Sequence, residues 1–186
     1  MDNKAQQYID DARRFQKCGD HEFAISTLQL AQQMDVQKEY YVEIQKLLSF
    51  SYRKINNYEM ALYHINNAIN WNAKMVGLKA QTEYAICLMN KGIIYEDNKH
   101  YSKAVNTYRM AVDIFISLYQ DNPDEYGLII NALITLGSFY YKQNDFRKAK
   151  CTLESSLKYF GEGKETDRRY VTICSTLREL ETQQEG

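Results

Sequence analysis

"YEDNKHYSKAVNTYRMAVDIF" (residues 95–115) and "YYKQNDFRKAKCTLESSLKYF" (residues 140–160) follow one pattern. In both, an aromatic residue precedes a polar turn, a second aromatic follows the turn, and Lys-Ala leads into alternating large and small apolar residues. Such self-similarity is the sequence signature of repeat proteins, in which each copy is one supersecondary unit. The rest of the chain should therefore contain further copies.

The alanine of the Lys-Ala pair, Ala104 and Ala149 in these two stretches, has equivalents at Ala24 and Ala61, so alanine anchors four copies. Each anchor has an aromatic residue or histidine three positions before it, a large residue four positions after it and a small residue seven positions after it. These are His21, Tyr58, Tyr101 and Phe146; Leu28, Ile65, Tyr108 and Leu153; and Ala31, Ala68, Ala111 and Ser156. Such spacings lie on one helical face, where small residues let a second helix approach closely.

A second helix is encoded before each anchor. An aromatic residue precedes the alanine by nine positions and a small residue precedes it by twelve. These are Phe15, Tyr52, Tyr95 and Tyr140, and Ala12, Ser49, Gly92 and Gly137. We therefore predict four helical hairpins, over residues 4–36, 40–76, 80–121 and 125–161.

The last segment, residues 167–183, is amphipathic. Tyr170, Ile173, Cys174, Leu177 and Leu180 share one side, whereas Arg168, Arg169, Thr172, Arg178 and Glu179 should face away. This pattern predicts a ninth helix that covers the exposed flank of the fourth hairpin. The predicted fold is all-α, with nine helices and no sheet, in a single domain over residues 1–186.

The hairpins resemble the tetratricopeptide repeat, most closely in residues 133–157 and 88–112. The anchors are 37, 43 and 45 residues apart, longer than the standard period of about 34, which resembles the kinesin-light-chain-like branch of the family. The resemblance implies a right-handed α-α superhelix, a solenoid, that acts as a protein–protein interaction scaffold or adaptor.

Composition argues against several classes of protein. The formal net charge is −1, which gives no global field to attract nucleic acid, and no apolar run is long enough for membrane insertion. The first 15 residues lack a secretory signal, so we expect a cytoplasmic protein. The four cysteines are scattered, which predicts buried, reduced thiols and neither a disulfide framework nor a zinc site.

The sequence shows no catalytic constellation. His21, His64 and His100 lie in different hairpins, and "GEGKET" (residues 161–166) lacks both the preceding strand and the spacing of a phosphate-binding loop. We therefore predict no enzyme activity, catalytic residue, metal or cofactor.

Binding is the better hypothesis, because the first helices of stacked hairpins line the inner surface of the array. The repeat register places ten groove residues there: Arg13, Lys17, Lys46, Phe50, Arg53, Met89, Ile93, Asn131, Ile134 and Tyr141. The N-terminal half of this set is mostly basic and the C-terminal half is apolar, which favours a peptide with acidic groups at one end and apolar anchors at the other. Alternatively, the charges are a solvated helix face, and Ile86, Met89 and Ile93 pack on a neighbouring helix.

Three functions remain open. The chain is a groove-binding adaptor for a protein or peptide partner, a fixed subunit of a large assembly, or a peptide-sensing regulatory module. The carboxylate clamp and the asparagine ladder of well-known tetratricopeptide proteins are both absent at the equivalent positions. RNA binding would need a basic stripe through every hairpin, but the third hairpin supplies Glu96 and Asp97 instead.

Overall fold

A computed structural model describes residues 2–34, 38–119 and 121–182. These residues form nine α-helices and no strand, which confirms the predicted all-α class. The helices are α1 (Asp2–Cys18), α2 (His21–Gln32), α3 (Lys38–Lys54), α4 (Tyr58–Asn72), α5 (Leu78–Asp97), α6 (Tyr101–Tyr119), α7 (Tyr126–Lys142), α8 (Phe146–Leu157) and α9 (Arg168–Thr182).

Helix α1 packs on α2, α3 on α4, and α7 on α8. Short 3₁₀ turns at Pro123–Glu125 and Lys164–Thr166 lie in the connections before α7 and α9. Helix α7 begins at Tyr126. The predicted boundaries at residues 36 and 183 lie outside the described residues.

The turn inside each hairpin has the same backbone structure four times. A residue with positive φ ends the first helix: Gly19 (85°), Asn56 (61°), Lys99 (59°) and Asn144 (58°). The amide of the next residue then donates to the carbonyl of the repeated aromatic residue five positions before it. These hydrogen bonds are Asp20 to Phe15 (2.9 Å), Asn57 to Tyr52 (2.9 Å), His100 to Tyr95 (2.8 Å) and Asp145 to Tyr140 (2.9 Å). This left-handed cap satisfies helix-terminal carbonyls, and its recurrence supports the repeat register.

The chain forms two compact units, Met1–Ala104 and Val105–Gly186, with the boundary inside α6. The prediction of a single domain stays a prediction. In the N-terminal unit, the anchor residues of α2 form one core cluster with α1 and α3. Its buried members are Ile9, Ala12, Ala24, Ile25, Leu28, Ala31, Ile44 and Leu48.

In the C-terminal unit, α9 packs against the fourth hairpin. Ile173 and Leu180 are buried in one cluster with Ala149 and Leu153, and Leu177 packs against it. The apolar side of α9 therefore covers this hairpin, as its stripe predicts.

The small positions of the first helices are points of close helix contact. Ser49 is buried and donates a hydrogen bond to the carbonyl of Ala61 (2.8 Å). A Cβ atom built on Gly137 would lie 2.7 Å from Leu153 Cδ2, closer than ordinary packing allows. Larger side chains would force the two helices of a hairpin apart.

The predicted burial of the cysteines is wrong for two of the four. Cys87 is buried, which raises the pKa of its thiol to about 12, but Cys18 and Cys151 are exposed and Cys174 is half-buried. Cys18 ends α1 and Cys151 lies on the solvent side of α8, positions that the repeat pattern leaves unspecified. All four are free thiols.

None of the helices within residues 2–34, 38–119 and 121–182 is both long enough and apolar enough to cross a membrane.

Candidate functional site

A trough in the N-terminal unit lies between α3 and α5 and has a volume of about 710 Å³. The end of α4 and the connection to α5 close one side of it. We call it the N-terminal trough and define it by its apolar residues Val42, Leu47, Trp71, Met75, Val76 and Ala80. It is an open cavity large enough to hold part of a ligand.

The apolar wall of the N-terminal trough faces solvent. Val76 is 98 % exposed and Met75 is 41 % exposed, while Trp71 packs on Tyr41 with 4.9 Å between ring centroids. The connection reaches α5 through Gly77, whose φ of 107° suits glycine. Exposed apolar surface of this kind is typical of a binding surface.

The charges of this unit are ion-paired across successive first helices. Arg13 of α1 pairs with Glu43 of α3. Two further pairs join α3 to α5, from Lys46 Nζ to Glu83 Oε2 (2.7 Å) and from Arg53 Nη1 to Asp97 Oδ2 (2.6 Å). The predicted basic face is therefore largely compensated by the carboxylates of Glu43, Glu83 and Asp97.

Phe50, Arg53 and Ile93 come together around a cavity of about 50 Å³ below the N-terminal trough. Phe50 is 38 % exposed, and the cations of Arg53 and Lys54 lie 5.4 and 5.5 Å from its ring centroid. Met89 is half-buried, and Lys17 is exposed on α1 outside the N-terminal trough.

A second trough, of about 400 Å³, lies in the C-terminal unit between α7 and α9. We call it the C-terminal trough and define it by Ile134, Ser138 and Tyr141 from α7 and by Arg168, Thr172 and Thr176 from α9. Ile134 and Tyr141 also pack against the core cluster beneath α9. These two predicted groove residues are therefore half-buried walls of a cavity.

Arg169 links α9 to α7. Its guanidinium donates to Asn131 Oδ1 (3.1 Å) and to both carboxylate oxygens of Asp167, with the shortest distance 2.7 Å. Hydrogen bonds from the Arg169 side chain lower the pKa of Asp167 below its ordinary value. Asn131, a predicted groove residue, therefore helps to fix the first turn of α9.

The prediction that the polar side of α9 faces away is wrong for Arg168, Arg169, Thr172 and Glu179, which line the C-terminal trough. Because the apolar stripe predicts α9 only as a cover, the polar residues that line the C-terminal trough were missed. The N-terminal trough was missed as well, although the sequence contains a usable signal for it: Trp71 is the single tryptophan, and the connection that follows contains Met75 and Val76.

The two troughs are the candidate binding surfaces that the geometry offers. Among the described residues, no group of three or more His, Cys, Asp or Glu side chains is placed to hold a metal ion. His64 is buried. The two troughs combine apolar walls with polar groups, an arrangement suited to protein segments.

A family model described as a tetratricopeptide repeat matches residues 85–115. These residues include most of α5 and most of α6. The match covers this segment alone, which is therefore similar to a tetratricopeptide repeat.

Solved structures of helical repeat proteins superpose on nearly the whole chain. The apo form of RapI is 17 % identical with a TM-score of 0.78, covering 98 % of this chain and 49 % of RapI. BtubC (BKLC) from P. vanneervenii is 16 % identical with a TM-score of 0.64, covering 98 % of this chain and 90 % of BtubC. The Cut9–Hcn1 hetero-tetramer of APC/C contains a chain that is 15 % identical with a TM-score of 0.66, covering 95 % of this chain and 30 % of that one.

These similarities establish the fold class, since the similar structures are tetratricopeptide-type helical solenoids. The chain spans about half the length of RapI. No curated protein sequence matches it significantly.

Proposed function

We propose that the protein is a non-catalytic scaffold that binds a segment of a partner protein in the N-terminal trough. The observation that carries the proposal is the apolar wall of exposed Met75 and Val76 and half-buried Trp71, beside charges that are already ion-paired. Affinity would come mainly from apolar anchors buried against this wall. The paired charges would set the orientation of the segment.

The fold supports this proposal at the level of its class, because tetratricopeptide-type arrays generally bind proteins. The longer-period, kinesin-light-chain-like branch stays a hypothesis that rests on anchor spacings of 37, 43 and 45 residues. Peptide sensing and a cytoplasmic location likewise stay hypotheses from the sequence.

A fixed subunit of an assembly is the second candidate, and one observation favours it. Large apolar side chains are exposed on the second helices, at Phe23, Leu30, Tyr63 and Met110. One similar structure, Cut9–Hcn1, is itself a hetero-tetramer. In this case the second helices, and not the N-terminal trough, would contact the partner.

Affinity capture from the source organism separates the two candidates. We expect Met75→Glu/Val76→Glu to abolish capture of the partner, because it introduces charge into the apolar wall. The matched variant Leu30→Glu/Met110→Glu introduces the same charges on the second helices and should leave capture unchanged. The reverse pattern would refute binding in the N-terminal trough and support the assembly subunit.

A further inference from the structure

The C-terminal trough has a length, a floor and a charge that together favour one kind of ligand. We propose that it binds an extended segment of a partner protein in which an acidic side chain pairs with Arg168 and a neighbouring aliphatic side chain packs over Ile134. The inference rests on the proposed function, because it specifies the segment that the scaffold would hold in its C-terminal unit.

The length of the C-terminal trough fits an extended segment. Its α9 wall runs from Arg168 to Glu179, and eleven residues of α-helix rise about 16 Å. An extended chain covers that distance in about five residues. The α7 wall follows from Ile134 to Lys142, so the cavity is a channel along two helices.

The floor of the C-terminal trough is apolar and its α9 wall offers hydrogen-bond acceptors. Ile173 and Leu153 lie beneath it, at 2 % and 3 % exposure. The hydroxyls of Thr172 and Thr176 donate to the carbonyls four residues before them (2.8 and 3.1 Å). Their hydrogens are therefore used within the helix, and their oxygen lone pairs can accept from backbone N–H groups of a bound segment.

The charge at the start of α9 is positive. Arg169 is compensated by Asp167, whereas Arg168 is exposed and has no ion pair with any residue in the described part of the chain. The helix dipole adds to the positive potential at this end. Lys142 and Glu179, of opposite sign, lie at the other end. A carboxylate on the ligand is thus attracted to Arg168.

Three fluorescein-labelled octapeptides test the predicted chemistry by fluorescence anisotropy with the full chain. One alternates glutamate and leucine, one alternates lysine and leucine, and one alternates glutamate and serine. We expect the glutamate–leucine peptide to bind at least about tenfold more tightly than either of the others, because only it supplies both charge and apolar anchors. Equal binding of the lysine–leucine peptide, or no binding of the glutamate–leucine peptide at millimolar concentration, would overturn the inference.

Two charge reversals on α9 locate the binding site. Arg168→Glu should weaken binding of the glutamate–leucine peptide about tenfold and strengthen binding of the lysine–leucine peptide. Arg178→Glu makes the same change in net charge at an exposed position outside the C-terminal trough, so it should change both affinities less than about twofold. Equal weakening by both variants would show a net-charge effect and refute the site.

The outcomes for the two troughs are independent. Loss of partner capture in Met75→Glu/Val76→Glu with no peptide binding would overturn this inference alone. Binding of the glutamate–leucine peptide that requires Arg168, with unchanged capture in Met75→Glu/Val76→Glu, would overturn only the assignment to the N-terminal trough.

Discussion

His64 is a buried ionisable group that the folded protein holds neutral. It is 5 % exposed, stacks on Tyr52 with 5.3 Å between ring centroids, and shares a 2.8 Å hydrogen bond with the side-chain oxygen of Gln45, itself fully buried. Neutral His64 donates from Nδ1 in this bond. Burial lowers the pKa of His64 from 6.5 to about 4.

This depressed pKa predicts a loss of stability in acid. Between pH 6.5 and 4 the unfolded chain binds a proton at His64 that the folded chain does not, so the free energy of unfolding falls as the pH falls through that window. The total loss is about 3 kcal/mol at about 1.4 kcal/mol per pKa unit. Urea unfolding followed by fluorescence of Trp71, the single tryptophan, measures it at each pH.

The control for this prediction is a second histidine. His64→Gln should flatten the dependence of unfolding free energy on pH between 6.5 and 4, whereas His100→Gln, at an exposed position, should leave it unchanged. An unchanged slope in His64→Gln would contradict the assignment to His64.

Gly137 is a second residue-scale test. Its added Cβ would meet Leu153 at 2.7 Å, so Gly137→Ala should destabilise the protein by about 1–3 kcal/mol despite the better helix propensity of alanine. Gly127→Ala, in the same helix, meets only Arg169 at 3.6 Å and should stabilise by up to about 1 kcal/mol. Thermal melts by circular dichroism compare them. Equal effects would show that Gly137 is not a packing position.

At the scale of elements, the positions of the hairpin turns were predictable from the sequence, but the backbone strain in those turns was not. Polar residues between apolar helical patterns mark a turn, but which residue adopts the left-handed conformation depends on how the first helix ends. Three of the four turns use Gly19, Asn56 and Asn144, residue types that tolerate positive φ. The third turn uses Lys99, and lysine is not a residue type that tolerates positive φ.

Lys99 therefore predicts a stabilising substitution. Lys99→Gly should raise the free energy of unfolding by up to about 1 kcal/mol by relieving the left-handed strain. Lys99→Ala removes the same charged side chain but keeps Cβ, so it should give no gain. Chemical unfolding followed by Trp71 fluorescence measures both variants. A gain in Lys99→Ala equal to that in Lys99→Gly would mean that charge, and not backbone strain, is responsible.

Helix α9 shows the limit of periodicity at this scale. Its apolar stripe predicted the buried residues Ile173 and Leu180, because burial follows helical spacing. The contact of Arg169 with Asn131 depends on where α9 lies on α7. The Arg169 side chain, at the edge of the apolar stripe, is long enough to reach α7. Helical spacing alone does not predict such a contact.

At the scale of the whole molecule, the repeat register predicted the helices because they follow from local patterns. It also placed Lys46 and Arg53 on a common face. It did not predict that Glu83 and Asp97 of α5 would compensate them, because that depends on the offset between successive first helices.

A charge swap tests whether the ion pair of Lys46 and Glu83 stabilises the fold. Lys46→Glu should cost up to about 1 kcal/mol, since Lys46 and Glu83 are 27 % and 31 % exposed and solvent screens the pair. Lys46→Glu/Glu83→Lys restores opposite charges and should recover most of this stability in urea unfolding. If the swapped protein is as unstable as Lys46→Glu, the pair contributes nothing.

Photocrosslinking from the N-terminal trough tests the central claim most directly. p-Benzoylphenylalanine in place of Val76, which is 98 % exposed, is irradiated in cell extract, and the crosslinked peptide is identified by mass spectrometry. The same group in place of Met110 is the control on a second helix. Binding in the N-terminal trough predicts one partner segment crosslinked from position 76 and not from position 110. The same partner crosslinked only from position 110 would contradict it.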